Sequence, residues 1–125
     1  MRFLCAEDNE LNAEILTELL KIKGAECTVC ENGERILETF ERSAPGDYDM
    51  ILMDVQMPVM NGYEATKAIR KSSHEQAKTI PIIAMTAQSE RESKESCSLA
   101  GMNEYIYKPV DPENLIRILR MYQKR

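Results

Sequence analysis

Four apolar runs in this 125-residue chain end on residues able to do chemistry. RFLCA is followed by Glu7-Asp8, ILM by Asp54, PIIAM by Thr86 and EYIY by Lys108. If one site gathered Glu7, Asp8 and Asp54, it would hold three negative charges. Two carboxylates about 4 Å apart repel by roughly 4 kcal/mol at an effective dielectric near 20. Either the acids stay apart, or a cation sits between them. A donor set of oxygens without His or Cys suits Mg²⁺. Such a cation would also screen Asp54 from an incoming phosphoryl group. Attack by a carboxylate oxygen on phosphorus needs positioning and charge neutralisation more than covalent help. Lys108 offers an ammonium to phosphoryl oxygens, and Thr86 offers a hydroxyl donor. Each residue has a plainer reading beside this one. Asp8 and Glu10 can favour the positive end of a helix, and Asp54 can form a turn ahead of Pro58 and Gly62. Thr86 can cap a helix, and Lys108 can be solvated. Their common placement at strand ends is what favours chemistry.

The elements that would position these residues alternate. RFLCAE (2–7) reads as a strand and LNAEILTELLKIKG as a helix, with Leu11, Ile15, Leu16, Leu19 and Leu20 at helical spacing and Gly24 as its stop. ECTVC reads as a second strand and NGERILETFERS as a second helix, opened by Asn32-Gly33. DMILMD is a third strand, and its unbroken apolar run predicts burial on both faces. A helix from about Tyr63 to Lys71 carries Ala65, Ala68 and Ile69 on one side, and the polar link SSHEQAKT leads to strand IPIIAMT. In SERESKESCSLAG only Cys97, Leu99 and Ala100 are apolar, so this fourth helix should be the least firmly docked, with Glu90 and Lys94 as an i,i+4 pair. EYIYK is the last strand. Asp111-Pro112-Glu113 then supplies an N-cap, a first helical position and a first-turn acid. The helix they open turns Leu115, Ile118, Leu119 and Tyr122 inward. Five strand–helix units imply a single α/β domain over 1–125, a parallel sheet with helices on both faces. Ligands of such sheets bind beyond the carboxyl ends of the strands.

Bulk properties exclude several classes. A net charge of −5 argues against nonspecific nucleic-acid binding. No apolar stretch reaches bilayer length, which leaves a cytoplasmic domain without membrane insertion as the expectation. Four cysteines occur, of which Cys27 and Cys30 form a CxxC. That motif lies within a strand, where an offset of three points the sulfurs to opposite faces. Buried thiols are expected rather than a redox or zinc site, and the one histidine, His74, sits in a polar link.

Taken together, AEDNELN (6–12), ILMDVQMPVMNGYEA (51–65), PIIAMTA (81–87) and YIYKP (105–109) resemble the receiver domain of two-component response regulators. The likeness runs over nearly the whole chain, and its wording is most similar to receivers of hybrid histidine kinases. The resemblance implies the flavodoxin-like (βα)5 fold with strand order 2-1-3-4-5. It implies Asp54 as phosphoacceptor, Asp8 as a direct Mg²⁺ ligand, Glu7 as a ligand through water, and Gln56 as donor of a backbone carbonyl to the metal. Thr86, Lys108 and the Ala87 N–H would contact the phosphoryl group. Tyr105 would be the aromatic whose rotamer follows the state, although core packing is its plainer role, and Pro109 would follow a cis bond. The face made by the fourth helix, fifth strand and fifth helix would carry the output. Glu7 departs from the aspartate common in the family, and Asn103-Glu104 from a common acidic pair.

Three functions compete. In a phosphorylatable switch, a partner histidine kinase or histidine phosphotransfer protein donates to Asp54, in a monomer or a phosphorylation-dependent dimer. Such a domain is no enzyme by itself. It either works through protein contacts or belongs to a longer polypeptide such as a membrane-anchored sensor kinase. An aspartate-nucleophile phosphatase would need a second aspartate two residues on, where Gln56 stands. A scaffold that never takes phosphate would be expected to lack Asp54, the acidic pair or Lys108. The switch requires that Asp54 lie near residues 7, 8 and 108 and be open to solvent.

Overall fold

The computed structural model describes residues 2–57, 59–86, 90–108 and 110–123, except for the side chains of residues 90–93 and 123. Ala87, Pro109 and the Glu90 side chain lie outside the described residues, and with them the Ala87 contact, the cis bond and the Glu90–Lys94 pair. Strands β1 (Arg2–Ala6), β2 (Glu26–Cys30), β3 (Met50–Asp54), β4 (Ile82–Thr86) and β5 (Glu104–Tyr107) alternate with helices. These are α1 (Glu10–Ile22), α2 (Gly33–Arg42), α3 (Gly62–Lys71), α4 (Glu90–Ala100) and α5 (Pro112–Gln123). The sheet runs β2-β1-β3-β4-β5, parallel at every pairing. This is the doubly wound flavodoxin-like order.

Period-two alternation splits the core. Leu4, Ala6, Ile51, Met53, Ile82 and Ala84 pack with Ile36 and Phe40 of α2, Ala65 and Ile69 of α3 and Cys97 of α4. Phe3, Cys5, Met50, Leu52, Ile83, Met85 and Ile106 pack with Leu16 and Leu20 of α1 and Leu115, Ile118 and Leu119 of α5. Both faces of β3 and β4 are therefore covered, and every residue of those two strands is buried. Cys27 and Cys30 do contribute to opposite clusters. All four thiols are free; Cys5, Cys30 and Cys97 are buried, whereas Cys27 is half-buried, a departure from the expected full burial.

Helix starts are set by short side chains. Asn9 accepts from the Asn12 N–H at 3.0 Å and Asn32 from the Arg35 N–H at 2.8 Å. Asn61 and Glu64 form a reciprocal capping box. Asp111 accepts from the Glu113 N–H at 3.0 Å, as its sequence position predicts. The apolar stripe of α1 is narrower than its spacing implies: Leu11 and Ile15 are 62% and 52% exposed, and only Leu16 and Leu20 are buried. In α4, Leu99 turns outward at 81% exposure, leaving Cys97 and Ala100 as its buried apolar contacts among the described side chains. Among the described residues, no helix is long and apolar enough to cross a membrane.

Candidate functional site

The alternation that divides the core also builds the site. Glu7 continues the series Phe3, Cys5; Asp54 continues Met50, Leu52; Lys108 continues Ile106. Residues from the ends of β1, β3 and β5 thus converge on the side of α1 and α5, where apolar burial gives way to charge. Asp54 is the last residue of β3 and sits next to β1, where the winding of the chain reverses. Backbone bonds hold this edge in register. The Glu7 N–H donates to Cys30 O at 3.0 Å, the Val55 N–H to Met85 O at 3.0 Å, and the Lys108 N–H to Thr86 O at 2.8 Å.

The Lys108 ammonium lies 2.8 Å from Asp54 Oδ2 and 3.3 Å from Glu7 Oε1. Asp54 Oδ1 accepts the Gln56 N–H at 3.1 Å, and Glu7 Oε2 accepts the Asn9 N–H at 3.4 Å. Burial pushes the Glu7 carboxyl up to about 7, helped by its hydrogen bond with Asp54 and by the Asp54 charge, against the opposing pull of Lys108. Burial alone would lower the Lys108 ammonium, but Asp54 and Glu7 more than offset it and hold its pKa above the ordinary lysine value. One ammonium is therefore shared between two buried carboxylates.

One ligand oxygen each from Glu7, Asp8 and Asp54 lies within 4.8 Å of the others. Oxygens bound directly to one Mg²⁺ would stand no more than about 4.2 Å apart, given bonds near 2.1 Å. A contraction of a few tenths of an ångström, or one acid acting through water, closes the difference. The all-oxygen donor set fits a divalent cation. Asp8 is exposed and faces an open depression of about 580 Å³ shared with Val55, Gln56, Met57, Asn61 and Tyr63.

Thr86 and Tyr105 belong to the other face. Thr86 follows Ile82 and Ala84 in alternation and is buried, and Tyr105 packs against the cluster that includes Cys97 of α4. Tyr105 also meets Tyr107 edge-on, with ring centroids 5.5 Å apart, and Tyr107 is exposed. The sequence thus named Glu7, Asp8, Asp54 and Lys108 as one group, and the structure unites them. Its requirement of an open acceptor is not met: Asp54 is 2% exposed. The cover over Oδ2 is the Lys108 side chain, a movable group that Glu7 also attracts.

Gly62 permits the close return of the chain past the acceptor, since an added Cβ would lie 2.4 Å from Asp54 O. Two features went unread in the sequence. Arg70 of α3 donates to Gly101 O at 3.0 Å, Ala77 O at 3.1 Å, Ile80 O at 2.8 Å and Asn103 Oδ1 at 2.9 Å, pinning the end of α4. The exposed Leu11 and Ile15 were the other. An arginine in an otherwise ordinary last turn, or two leucine-like residues in a helical stripe, carry no sequence signal of these roles.

The chain matches the response regulator receiver domain family over residues 3–120. It belongs to that family. Among curated receiver-containing relatives, it is 37% identical over 120 residues to hybrid signal transduction histidine kinase I of Dictyostelium discoideum. It is 36% identical over 119 residues to the sensor protein GacS of Pseudomonas syringae pv. syringae. Each alignment takes in 94% of this chain, which spans only 7% and 13% of those two proteins. Among solved receivers, that of the Pseudomonas aeruginosa sensor histidine kinase PA1611 superposes with a TM-score of 0.87 at 36% identity, covering 99% of this chain and 98% of that one. That structure has a magnesium ion coordinated in the active site cleft. The receiver domain of Saccharomyces cerevisiae Ssk1, solved with the histidine phosphotransfer protein Ypd1, superposes with a TM-score of 0.85 at 28% identity, covering 98% of this chain and 88% of that one.

Proposed function

We propose that Asp54 is the phosphoacceptor of a two-component phosphorelay. The observation that carries this reading is the Lys108 ammonium held 2.8 Å from Asp54 and 3.3 Å from Glu7 at the carboxyl edge of a receiver sheet. Asp8, Asp54, Glu7 and the Gln56 carbonyl would hold a bound Mg²⁺, which would supply the charge neutralisation that phosphoryl transfer needs. An Asp54 carboxylate oxygen attacks phosphorus as the P–N bond of a partner phosphohistidine breaks, and the imidazole, already protonated on its other ring nitrogen, takes the electron pair and leaves neutral. Lys108 swings from Asp54 Oδ2 to the phosphoryl oxygens, which uncovers the acceptor and keeps an ion pair throughout. Thr86 adds its hydroxyl and Ala87 its N–H.

Thr86 and Tyr105 carry the change to the α4 side of the sheet. Converting a mostly-off switch to mostly-on takes about 5 kcal/mol of differential stabilisation, within reach of several charge-assisted contacts. The α4–β5–α5 face is then the output surface. The donor docks on α1: Leu11 and Ile15 are exposed there, and a groove of about 360 Å³ lined by Ile15, Leu16, Leu19, Val110, Glu7 and Lys108 leads to the site. The pairing of Ypd1 with the Ssk1 receiver supports a histidine phosphotransfer protein or kinase as that donor. The domain acts in the cytoplasm and turns over no outside substrate.

Incubation with acetyl phosphate and Mg²⁺, read by intact mass, tests the proposal. One phosphoryl group should be added to the wild type and none to Asp54→Asn. Undiminished labelling of that variant would move the acceptor elsewhere, and steady hydrolysis of a generic phosphate ester would make the domain a phosphatase.

A further inference from the structure

The segment between β3 and α3 borders the acidic cluster and contains Gln56. Its two ends are tied locally. The Gln56 N–H donates to Asp54 Oδ1 at 3.1 Å, the Gly62 N–H donates to Val55 O at 2.9 Å, and Asn61 caps α3. Its crest is different. Val59 has φ 67°, a left-handed conformation that a β-branched residue rarely adopts, and it is 75% exposed. Local preference therefore does not hold the crest in place, and a contact from outside must.

That contact is the first residue of α2. The Gly33 N–H, a donor that the helix itself cannot satisfy, bonds Met60 O at 3.1 Å. An added Cβ at residue 33 would lie 2.3 Å from Met60 O and 3.0 Å from both Met60 C and Cβ. The nearest obstacles are backbone atoms, which no change of rotamer can move. Gly33 is also not in the left-handed region, so space alone demands glycine here. Helix propensity by itself would favour alanine.

We propose that Gly33 is a positioning residue for the phosphorylation site: by admitting Met60 O against the first turn of α2, it sets the β3–α3 segment where the Gln56 carbonyl can share a divalent cation with Asp8 and Asp54. This inference rests on the Mg²⁺ reading above. A purely structural glycine would serve only to open α2, and the Asn32 cap serves that same end without touching Met60 O. The two residues can therefore be separated.

The experiment is a Mg²⁺ titration of wild type, Gly33→Ala and Asn32→Ala, followed by backbone amide resonances, with thermal melts of the metal-free proteins alongside. Gly33→Ala should bind Mg²⁺ roughly tenfold or more weakly, as losses in the shell behind a metal ligand do. Asn32→Ala should melt earlier yet keep wild-type Mg²⁺ affinity. Wild-type affinity in Gly33→Ala, or an equal loss in Asn32→Ala, would overturn the proposal. A wild type that shows no Mg²⁺ response would instead remove the reading beneath it, a distinct result that also overturns the inference. Should Gly33→Ala not fold, the wild type still decides. Coupling is reciprocal, so the Gly33 amide must shift and exchange more slowly with Mg²⁺ as Gln56 responds, and a Gly33 amide that ignores the metal refutes the assignment.

Discussion

Helices α2 and α4 lie on the same face of the sheet and differ by one residue in length, yet they are anchored very differently. α2 drives Ile36 and Phe40 fully into the core, carries an Asn32 cap, and grips the β3–α3 segment through Gly33. α4 buries Cys97 and Ala100, small side chains, and sends Leu99 outward. Its firm attachment is at its end, where Arg70 holds Gly101 O and Asn103 while Asn103 Oδ1 also accepts the Ile82 N–H at 2.8 Å. The difference teaches where movement costs least. The metal side of the site is clamped from outside, whereas the side facing Thr86 and Tyr105 adjoins a helix whose described anchors are two small buried side chains and the Arg70 bonds beyond its C-terminal end. Segments with few buried apolar contacts open at low free energy, which suits an element that must report a change of charge.

The contrast can be broken by truncation. Phe40→Ala should destabilise the domain by about 3–5 kcal/mol in denaturant titration, since it empties a fully buried aromatic site. A loss below about 1 kcal/mol would mean that α2 is no better anchored than α4.

Relaxing the charged edge sharpens the comparison. Glu7 has a folded pKa of about 7, above its ordinary 4.5, so between those values the folded state binds more protons than the unfolded one. Metal-free stability should therefore fall as pH rises from about 4.5 to 7, by an amount of order 2–3 kcal/mol. Glu7→Gln should flatten that slope. A slope that persists unchanged in Glu7→Gln would place the titration elsewhere. The order of protection of α2 over α4 should survive the pH change, because the buried anchors of α2, Ile36 and Phe40, carry no titratable group.

Native-state hydrogen exchange compares the helices directly. Amides of α2 should exchange more slowly than those in the first two turns of α4, while those near Gly101 are better protected than the rest of α4. Uniform protection along α4 would remove the distinction between its Arg70-held end and the rest of the helix. The smallest effect belongs to Leu99→Ala, which should change stability by no more than about 0.5 kcal/mol, because the side chain is already in solvent. Any role it has would appear in partner binding alone.

Much of this was legible in the sequence because strand alternation and strand-end chemistry are local patterns. The continuous apolar runs MILM and IIAM announced buried central strands, and Asp54, Thr86 and Lys108 announced the edge where the site lies. Asp111-Pro112 announced α5. What stayed hidden depends on approach in three dimensions. Spacing could not say that Leu11 and Ile15 project beyond the rim of the core, since a helical stripe has no marked end. The glycine at 33 read only as part of the Asn32-Gly33 entry to the second helix, because its true constraint, the Met60 carbonyl, comes from a segment 27 positions away. The near-complete burial of Asp54 depends on how a lysine from another strand and the returning chain at Gln56 and Gly62 close over it, which no spacing rule encodes.

The central claim is that the Asp54 carboxylate becomes an acyl phosphate. Borohydride reduction of protein treated with Mg²⁺ and acetyl phosphate, followed by peptide mass mapping, tests it most directly, because hydride converts an aspartyl phosphate to homoserine. The account predicts homoserine at position 54 alone, absent without Mg²⁺. Homoserine at another aspartate, or phosphate that resists reduction and maps to a hydroxyl or to His74, would contradict it.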